Sequence, residues 1–572
     1  MSETPTVAEA VVLDLHRHGV RSVFAQSLPS KIALAIDAHP DMTMIAYRTE
    51  NAGAAMADAF ARVTNRVGVV MAQNGPAATL LVPGLAEALK ASIPVVALVQ
   101  DVNRPQTDRN AFQEIDHIAL FQGCTKWVRR VTEASRVSDY VDMAFTVAAS
   151  GRPGPAVLML PADLLNEQAI VVGKRKASLG AVPLDRSAAD PARIREAADL
   201  IASAKDPLVV AGGGVHLSAA SAEVAALVAE AHLPVLTTVM GKGAVDETHP
   251  LSLGVAGYNL GPLSAARHLR PIIERADVVL LIGTRTNQNG TDSWELYPDG
   301  ARYIHIDIDP TEVGRNYEAV RLVGDAKLTL VELIKALTGR RRPQPEVERE
   351  IAAGRARHDD DILPVLRSNA SPVRPERLME DLRKVVTPET IVVADASYST
   401  LWIACYLRSL TPGMRFLTPR GLAGLGWGLP FAIGAKVAHP RRPVLCVVGD
   451  GGFAHVWSEL ETSVRIKAPV VLTVLNNGVL GYQKDAEDVK FGGYTSACHF
   501  APVDHAAIAR ACGARGVRVE SAGDYLPAIE DALESDVTTL IDVVTDPFAY
   551  PPITFFEGAL ERTRAARETA DA

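Results

Sequence analysis

The sequence predicts an α/β protein of three doubly wound domains, each built on a mostly parallel sheet. Three observations carry this. Short apolar runs rich in β-branched residues alternate with helical stretches along most of the chain, the pattern of βαβ units. Several of these runs end in turn-forming clusters, such as Gly212-Gly213-Gly214, Gly449-Asp450-Gly451-Gly452 and Asn476-Asn477-Gly478. The chain has 572 residues, well beyond the roughly 250–300 at which a single core stops growing.

Taken in order, residues 8–18 read as a helix, 22–25 and 42–48 as strands, and 51–63 as an Ala-rich helix. Residues 67–71, 94–99 and 156–160 read as further buried strands, which completes a first domain over 1–185. A Pro-containing linker at 182–191 opens a second unit. There, 207–211, 234–237, 277–281 and 303–308 read as strands, and the domain runs over 186–340. Residues 341–371 form a charged linker with helical character, expected on the surface. A third domain over 372–550 holds a strand at 391–394 and the βαβ unit 443–482. The tail, 551–572, reads as a surface helix or lid.

Composition bounds the partners. The formal net charge is −9 and no basic stripe interleaves with aromatics, which argues against nucleic acid. The five cysteines are scattered without a CxxC pair and read as reduced thiols. The first twenty residues do not read as a signal peptide, and no apolar run reaches the ~18 residues of a membrane span. A cytoplasmic protein is the expectation.

The chemistry concentrates in 443–482. An apolar strand (443–448) runs into Gly449-Asp450-Gly451-Gly452, a helical stretch follows at 455–466, and a second strand (470–475) ends in Asn476-Asn477. Strand, crossover and strand should be parallel, so both strand ends lie on the edge where open α/β sheets bind ligands. Asp450 and Asn477 would then offer two hard oxygen ligands, with the amides of Gly449, Gly451 and Gly452 open to an anion. A cation such as Mg²⁺ together with a phosphate suits that set.

GDG followed by 24 residues and then NN resembles the motif of thiamine-diphosphate (ThDP) enzymes. The resemblance implies Mg²⁺ ligation by the Asp450 and Asn477 side chains and the Val479 carbonyl. The stretch RTENAGAAMADAFAR resembles the RHEQGAAHMADGYAR-like segment of acetolactate synthases, which makes Glu50 the residue that bonds N1′ of the cofactor. Thr49 stands where that family has His. Read without the resemblance, Glu50 is simply an acidic residue at a helix start. Asn74-Gly75-Pro76 resembles the family's SGPGATN turn, and Phe112-Gln113-Glu114 its FQE segment, where the Phe and Gln reach substrate. Tyr398 and Ser399 fall where the family binds the terminal phosphate. Leu425, in Gly424-Leu425-Gly426, falls on the position that bends the cofactor, and Tyr482 stands where the family has Met after NN.

The likeness to acetolactate synthases runs over nearly the whole chain, but substrate positions differ. Ala162 replaces the Lys of LPKDV, Ala486 replaces a Trp, and the loop 23–29 departs from VFGYPGG. The implied activity is C–C cleavage or formation beside a carbonyl of a 2-keto acid. A lyase or hydrolase of diketones or 2-hydroxyacyl-CoAs is the alternative, and a non-catalytic nucleotide-binding protein is another. FAD or ADP in the central domain is doubtful, because neither pattern is reproduced after residue 283. The resemblance also implies a homodimer or homotetramer with active sites at the subunit interface.

Overall fold

Strand Gly68–Ala72, GVVMA, is buried at every position, as are Val278–Ile282 and all but the last residue of Val444–Gly449. Sequences of this kind fit only sheets covered on both faces. The computed structural model, which describes residues 4–169 and 176–563, contains three such sheets. Each has six strands, all paired in parallel.

In the first sheet the order is Thr43–Ala46, Ser22–Ala25, Gly68–Ala72, Val95–Asp101, Ala156–Pro161, Trp127–Arg130. The second runs Ala319–Val323, Arg302–Asp307, Val278–Ile282, Pro207–Ala211, Val235–Thr237, Ser252–Val255. The third runs Phe416–Leu417, Ile391–Ala394, Val444–Gly449, Val471–Asn476, Thr539–Val544, Arg515–Val519. Three doubly wound α/β sheets are what the sequence predicts.

The chain divides into two compact units. One comprises residues 1–185 with 419–441 and 456–470, and the other 186–418 with 442–455 and 471–572. In the first unit, helix Gly428–Ala438 packs along helix Glu50–Thr64. The approach is close enough that a Cβ on Gly434 would stand 2.2 Å from the Met56 carbonyl oxygen. Glu87 carries the same contact further, accepting the amides of Gly421 (2.7 Å) and Leu422 (2.6 Å). Gly434→Ala is therefore expected to destabilise the protein by about 1–3 kcal/mol, despite alanine's higher helix propensity. A lowered urea midpoint of the variant checks this, and an unchanged midpoint contradicts it.

Three expectations are corrected. The helix expected over 455–466 starts later, at Glu459–Arg465, and a separate short helix, Asp450–Phe453, precedes it across turns, because a helix begun on two glycines is weak and stops early. The charged stretch after 340 is not merely a surface linker. It forms the 22-residue helix Pro345–Leu366, which buries Val347, Ile351, Gly354, His358, Ile362 and Leu366 at helical spacing. Burial pushes the His358 imidazole down to about 4. The tail is not purely a surface element either, since Ile553, Phe556 and Leu560 are fully buried in the third-domain core. Its last residues, including Arg564 and Arg567, lie outside the described residues.

The run Gly212-Gly213-Gly214 has a packing reason. A Cβ on Gly212 would lie 2.3 Å from the Gly283 carbonyl, and one on Gly214 2.7 Å from the Gly283 Cα. These glycines let two chain segments touch at the strand ends.

Candidate active site

Two neighbouring strands of the third sheet build the first part of the site. Val444–Gly449 and Val471–Asn476 pair in parallel with Gly449 opposite Leu475. Asp450 therefore emerges level with Asn476, one residue before Asn477, on the same sheet edge. Asp450 is 6 % exposed and spans the two turns. Its Oδ1 accepts the Gly451 amide (2.8 Å) and its Oδ2 the Gly478 amide (2.7 Å). Burial nevertheless pushes the carboxyl up to about 6, because the amide bonds only partly offset desolvation. No cationic side chain pairs with it among the described residues.

The two asparagines differ in what they do. Asn476 donates its amide to the Val503 carbonyl and to Asp542 Oδ1, both at 2.9 Å, so it is spent on structure. Among the described residues the Asn477 Oδ1 accepts the Val479 amide alone, at 3.1 Å. Gly451 has no room for a side chain, since a Cβ there would meet Leu480 at 2.8 Å and the Phe500 ring at 3.0 Å.

Ser399 and Gly449 lie side by side, the Ser399 hydroxyl standing 3.9 Å from a Cβ placed on Gly449. Ser399 is buried in the first turn of helix Tyr398–Tyr406. The Tyr398 hydroxyl points elsewhere, donating to Asp485 Oδ2 at 2.7 Å, and its ring meets Tyr482 edge-on. The Tyr398 and Tyr482 rings thus pack together, while the Ser399 hydroxyl faces the strand end at Gly449.

Glu50 belongs to the other unit. It is the first residue of helix Glu50–Thr64 and is 8 % exposed. Helix capping is done by its neighbour, since the Thr49 hydroxyl accepts the Ala52 amide (3.4 Å). The Glu50 carboxylate has no hydrogen bond or ion pair among the described residues. The turn before it is held from several sides. Glu459, fully buried, accepts the amides of Arg48 and Thr49 through Oε1, both at 3.0 Å. Gln26 donates to the Arg48 carbonyl at 3.0 Å. Burial, then the charges of Glu50 and Glu459, raise the Tyr47 phenol well above its ordinary value.

In the same unit the turn at Asn74 and the loop at Gln113 come together. The Asn74 Nδ2 donates to the carbonyls of Phe112 (3.3 Å) and Gln113 (3.2 Å), and Gln73 Nε2 donates to Gln113 Oε1 (2.9 Å). Phe112 itself is 84 % exposed. Leu425 is half-buried at the bend before helix Gly428–Ala438.

Comparison with known proteins decides the family. Residues 5–120 match the family described as thiamine pyrophosphate enzyme, N-terminal TPP binding domain. Residues 194–333 match its central domain, and 395–543 its C-terminal TPP binding domain. A probable acetolactate synthase large subunit of Methanococcus aeolicus is 34% identical over 94% of this chain and 92% of its own length. An acetolactate synthase of Arthrospira platensis is 31% identical over 96% of both chains. The large subunit of acetolactate synthase isozyme 3 of Escherichia coli is 30% identical over 94% of both.

The chain belongs to the thiamine pyrophosphate enzyme family.

For a thiamine pyrophosphate enzyme the donor set fits its cofactor. Asp450 is a buried carboxylate without a cationic partner among the described residues, beside the Asn477 amide oxygen, which has acceptor capacity left, and that oxygen pair suits a hard divalent ion. Glu50 is a buried carboxylate with unspent acceptor capacity, which suits a ring nitrogen that gains and loses a proton. Sequence reasoning does not find Glu459 or Asp485. Each lies on a helix of unremarkable polarity, and only the fold brings Glu459 to the Arg48 turn and Asp485 to Tyr398.

Proposed function

We propose that this thiamine-diphosphate-dependent enzyme breaks the C–C bond beside the carbonyl of a 2-keto acid and joins the retained fragment to a second carbonyl compound, or releases it. The observation that carries this reading is the pair of buried carboxylates, Glu50 and Asp450, each lacking the partner that the cofactor and its metal would supply.

Bound thiamine diphosphate supplies the nucleophilic carbon and the electron sink. The side chains of Asp450 and Asn477, with the Val479 carbonyl, would hold Mg²⁺. Ser399 and the amides of Gly449 and Gly452 would bind the diphosphate oxygens, the Gly451 amide being taken by Asp450 Oδ1 instead, with Asn74, Tyr398 and Tyr482 lining the cofactor. Leu425 would pack against the cofactor. Glu50 would hold or move a proton at its carboxylate, and Gln113 would orient the substrate. A homodimer or homotetramer with its active sites at the subunit interface, in the cytoplasm, completes the proposal. Among the described residues no helix is long and apolar enough to cross a membrane.

The substrate pocket differs from that of acetolactate synthases. Ala162 has no charge to offer a carboxylate, and Ala486 packs against the third-domain core instead of offering an indole. Acetolactate formation from pyruvate alone is expected to run at least about 10-fold slower than turnover of the preferred 2-keto acid, a loss in line with one missing charged contact. Mass spectrometry of products from the Mg²⁺- and cofactor-loaded enzyme across a panel of 2-keto acids tests this. Efficient acetolactate production from pyruvate contradicts the substrate assignment.

A further inference from the structure

We propose that His117 and Asp101 form a positioning pair that latches the Gln113 loop through the amide of Gly75. This rests on the reading of Gln113 as a substrate-orienting residue.

His117 opens helix His117–Gln122 and is fully buried. Its Nε2 lies 2.8 Å from the Gly75 amide nitrogen. An amide N–H can only donate, so Nε2 carries the lone pair and the ring proton of the neutral imidazole sits on Nδ1. That Nδ1 faces Asp101 Oδ1 across a long contact of 3.4 Å and has no closer polar partner among the described residues. Asp101 ends strand Val95–Asp101 and is 1 % exposed. Its Oδ1 also accepts the Val102 amide at 2.9 Å, and its Oδ2 stands 2.6 Å from Arg130 Nε. Burial raises this carboxyl, but the His117 bond, the Arg130 charge and the Val102 amide together hold it below the usual range. Asp101 thus stays ionised and selects the one tautomer that can accept from Gly75.

On the far side of that amide the chain is under conformational load. Gly75 has φ +64° and Gln113 has φ +62°. The two touch so closely that a Cβ on Gly75 would lie 2.6 Å from the Gln113 Cβ. A non-glycine residue in the left-handed region costs energy and is kept only where its surroundings hold it. The Asn74 amide and the Gln73 side chain supply part of that hold, and the imidazole fixed by Asp101 adds to it through Gly75. Two buried ionisable groups are thus committed to one backbone N–H next to the loop that presents Gln113.

The test uses the full-length protein loaded with thiamine diphosphate and Mg²⁺. Three variants are compared: His117→Leu, which removes the acceptor; His117→Gln, whose Oε1 supplies one; and Asp101→Asn, which frees the tautomer. Steady-state kinetics with the 2-keto acid turned over by the parent is read beside cofactor affinity from tryptophan fluorescence. Hydrogen–deuterium exchange is followed in peptides covering 73–80 and 108–118. His117→Leu is expected to raise KM about 10-fold with cofactor affinity unchanged, the scale of one lost buried hydrogen bond. Exchange in both peptides should quicken. His117→Gln should recover most of both, and Asp101→Asn should fall between. A parental KM in folded His117→Leu, an equal loss in His117→Gln, or a parallel loss of cofactor affinity overturns the proposal. If His117→Leu does not fold, Asp101→Asn decides by the same readings. If the parent turns over no 2-keto acid, the functional reading fails and exchange alone decides. Quickened exchange in His117→Leu with parental exchange in His117→Gln supports the latch, and unchanged exchange rejects it.

Discussion

Glu50→Gln is expected to keep thiamine diphosphate bound while slowing exchange of its C2 proton by about 10²–10⁴-fold, the usual worth of a general acid–base group. Glutamine preserves the size of the side chain and one hydrogen bond but cannot trade a proton. Binding should survive because the proposal assigns the diphosphate and metal to residues other than Glu50. The competing view makes Glu50 an acidic residue favoured by the helix dipole, worth at most about 1 kcal/mol of stability and nothing in rate. The local structure weakens that view, since Thr49 already caps the helix and Glu459 already holds the turn. NMR of proton–deuterium exchange at C2 in the loaded variant separates the two. Unchanged exchange in a folded, cofactor-loaded Glu50→Gln protein rejects the catalytic role.

Asp450→Ala is expected to abolish cofactor retention through gel filtration, because it removes the one charged oxygen of the proposed metal-ligand set. The pH dependence follows from burial. The carboxyl is raised to about 6 in the folded, metal-free protein, against an ordinary aspartate value near 4 in the unfolded chain. Between those values the folded state binds more protons, so this group's contribution to stability falls as pH rises through the window. Mg²⁺ selects the ionised form, so metal and cofactor retention should strengthen as pH rises through about 6. Asp450→Asn keeps the acceptor for the Gly451 or Gly478 amide but not the charge, and should fold yet retain little cofactor. Parental cofactor content in either variant after gel filtration contradicts the metal-ligand assignment.

The parts of the fold legible in the sequence were those where one physical demand dominated. Strands buried on both faces, such as Gly68–Ala72 and Pro207–Ala211, spell continuous apolar runs. Trp127–Arg130, Ala319–Val323 and Arg515–Val519 do not. They lie at sheet edges, half exposed, with arginines among their few residues. Thr539–Val544 hides for another reason: Asp542 stands in its middle, fully buried, satisfied by Asn476, His505 and Arg518 from other elements. The site divides the same way. Asp450 and Asn477 stand out by spacing, because each directly follows one of two apolar strands that pair in parallel. Glu459 and His117 do not, because each serves a backbone amide that the fold delivers from elsewhere.

The first unit is assembled from three separated stretches of chain, and this has a consequence for how the protein is made. Residues 1–185 leave the ribosome long before 419–441 and 456–470 exist. At about 5–20 residues per second, the interval from residue 185 to residue 441 lasts roughly 10–50 s. Throughout it the Met56 face of helix Glu50–Thr64 has no Gly434 to pack on, the amides of Arg48 and Thr49 have no Glu459, and Glu87 has no Gly421. The helix that begins with Glu50 therefore waits, with its packing surface uncovered, for the last third of synthesis. Chaperone demand during translation, and the success of any truncated version of this protein, will be governed by that wait.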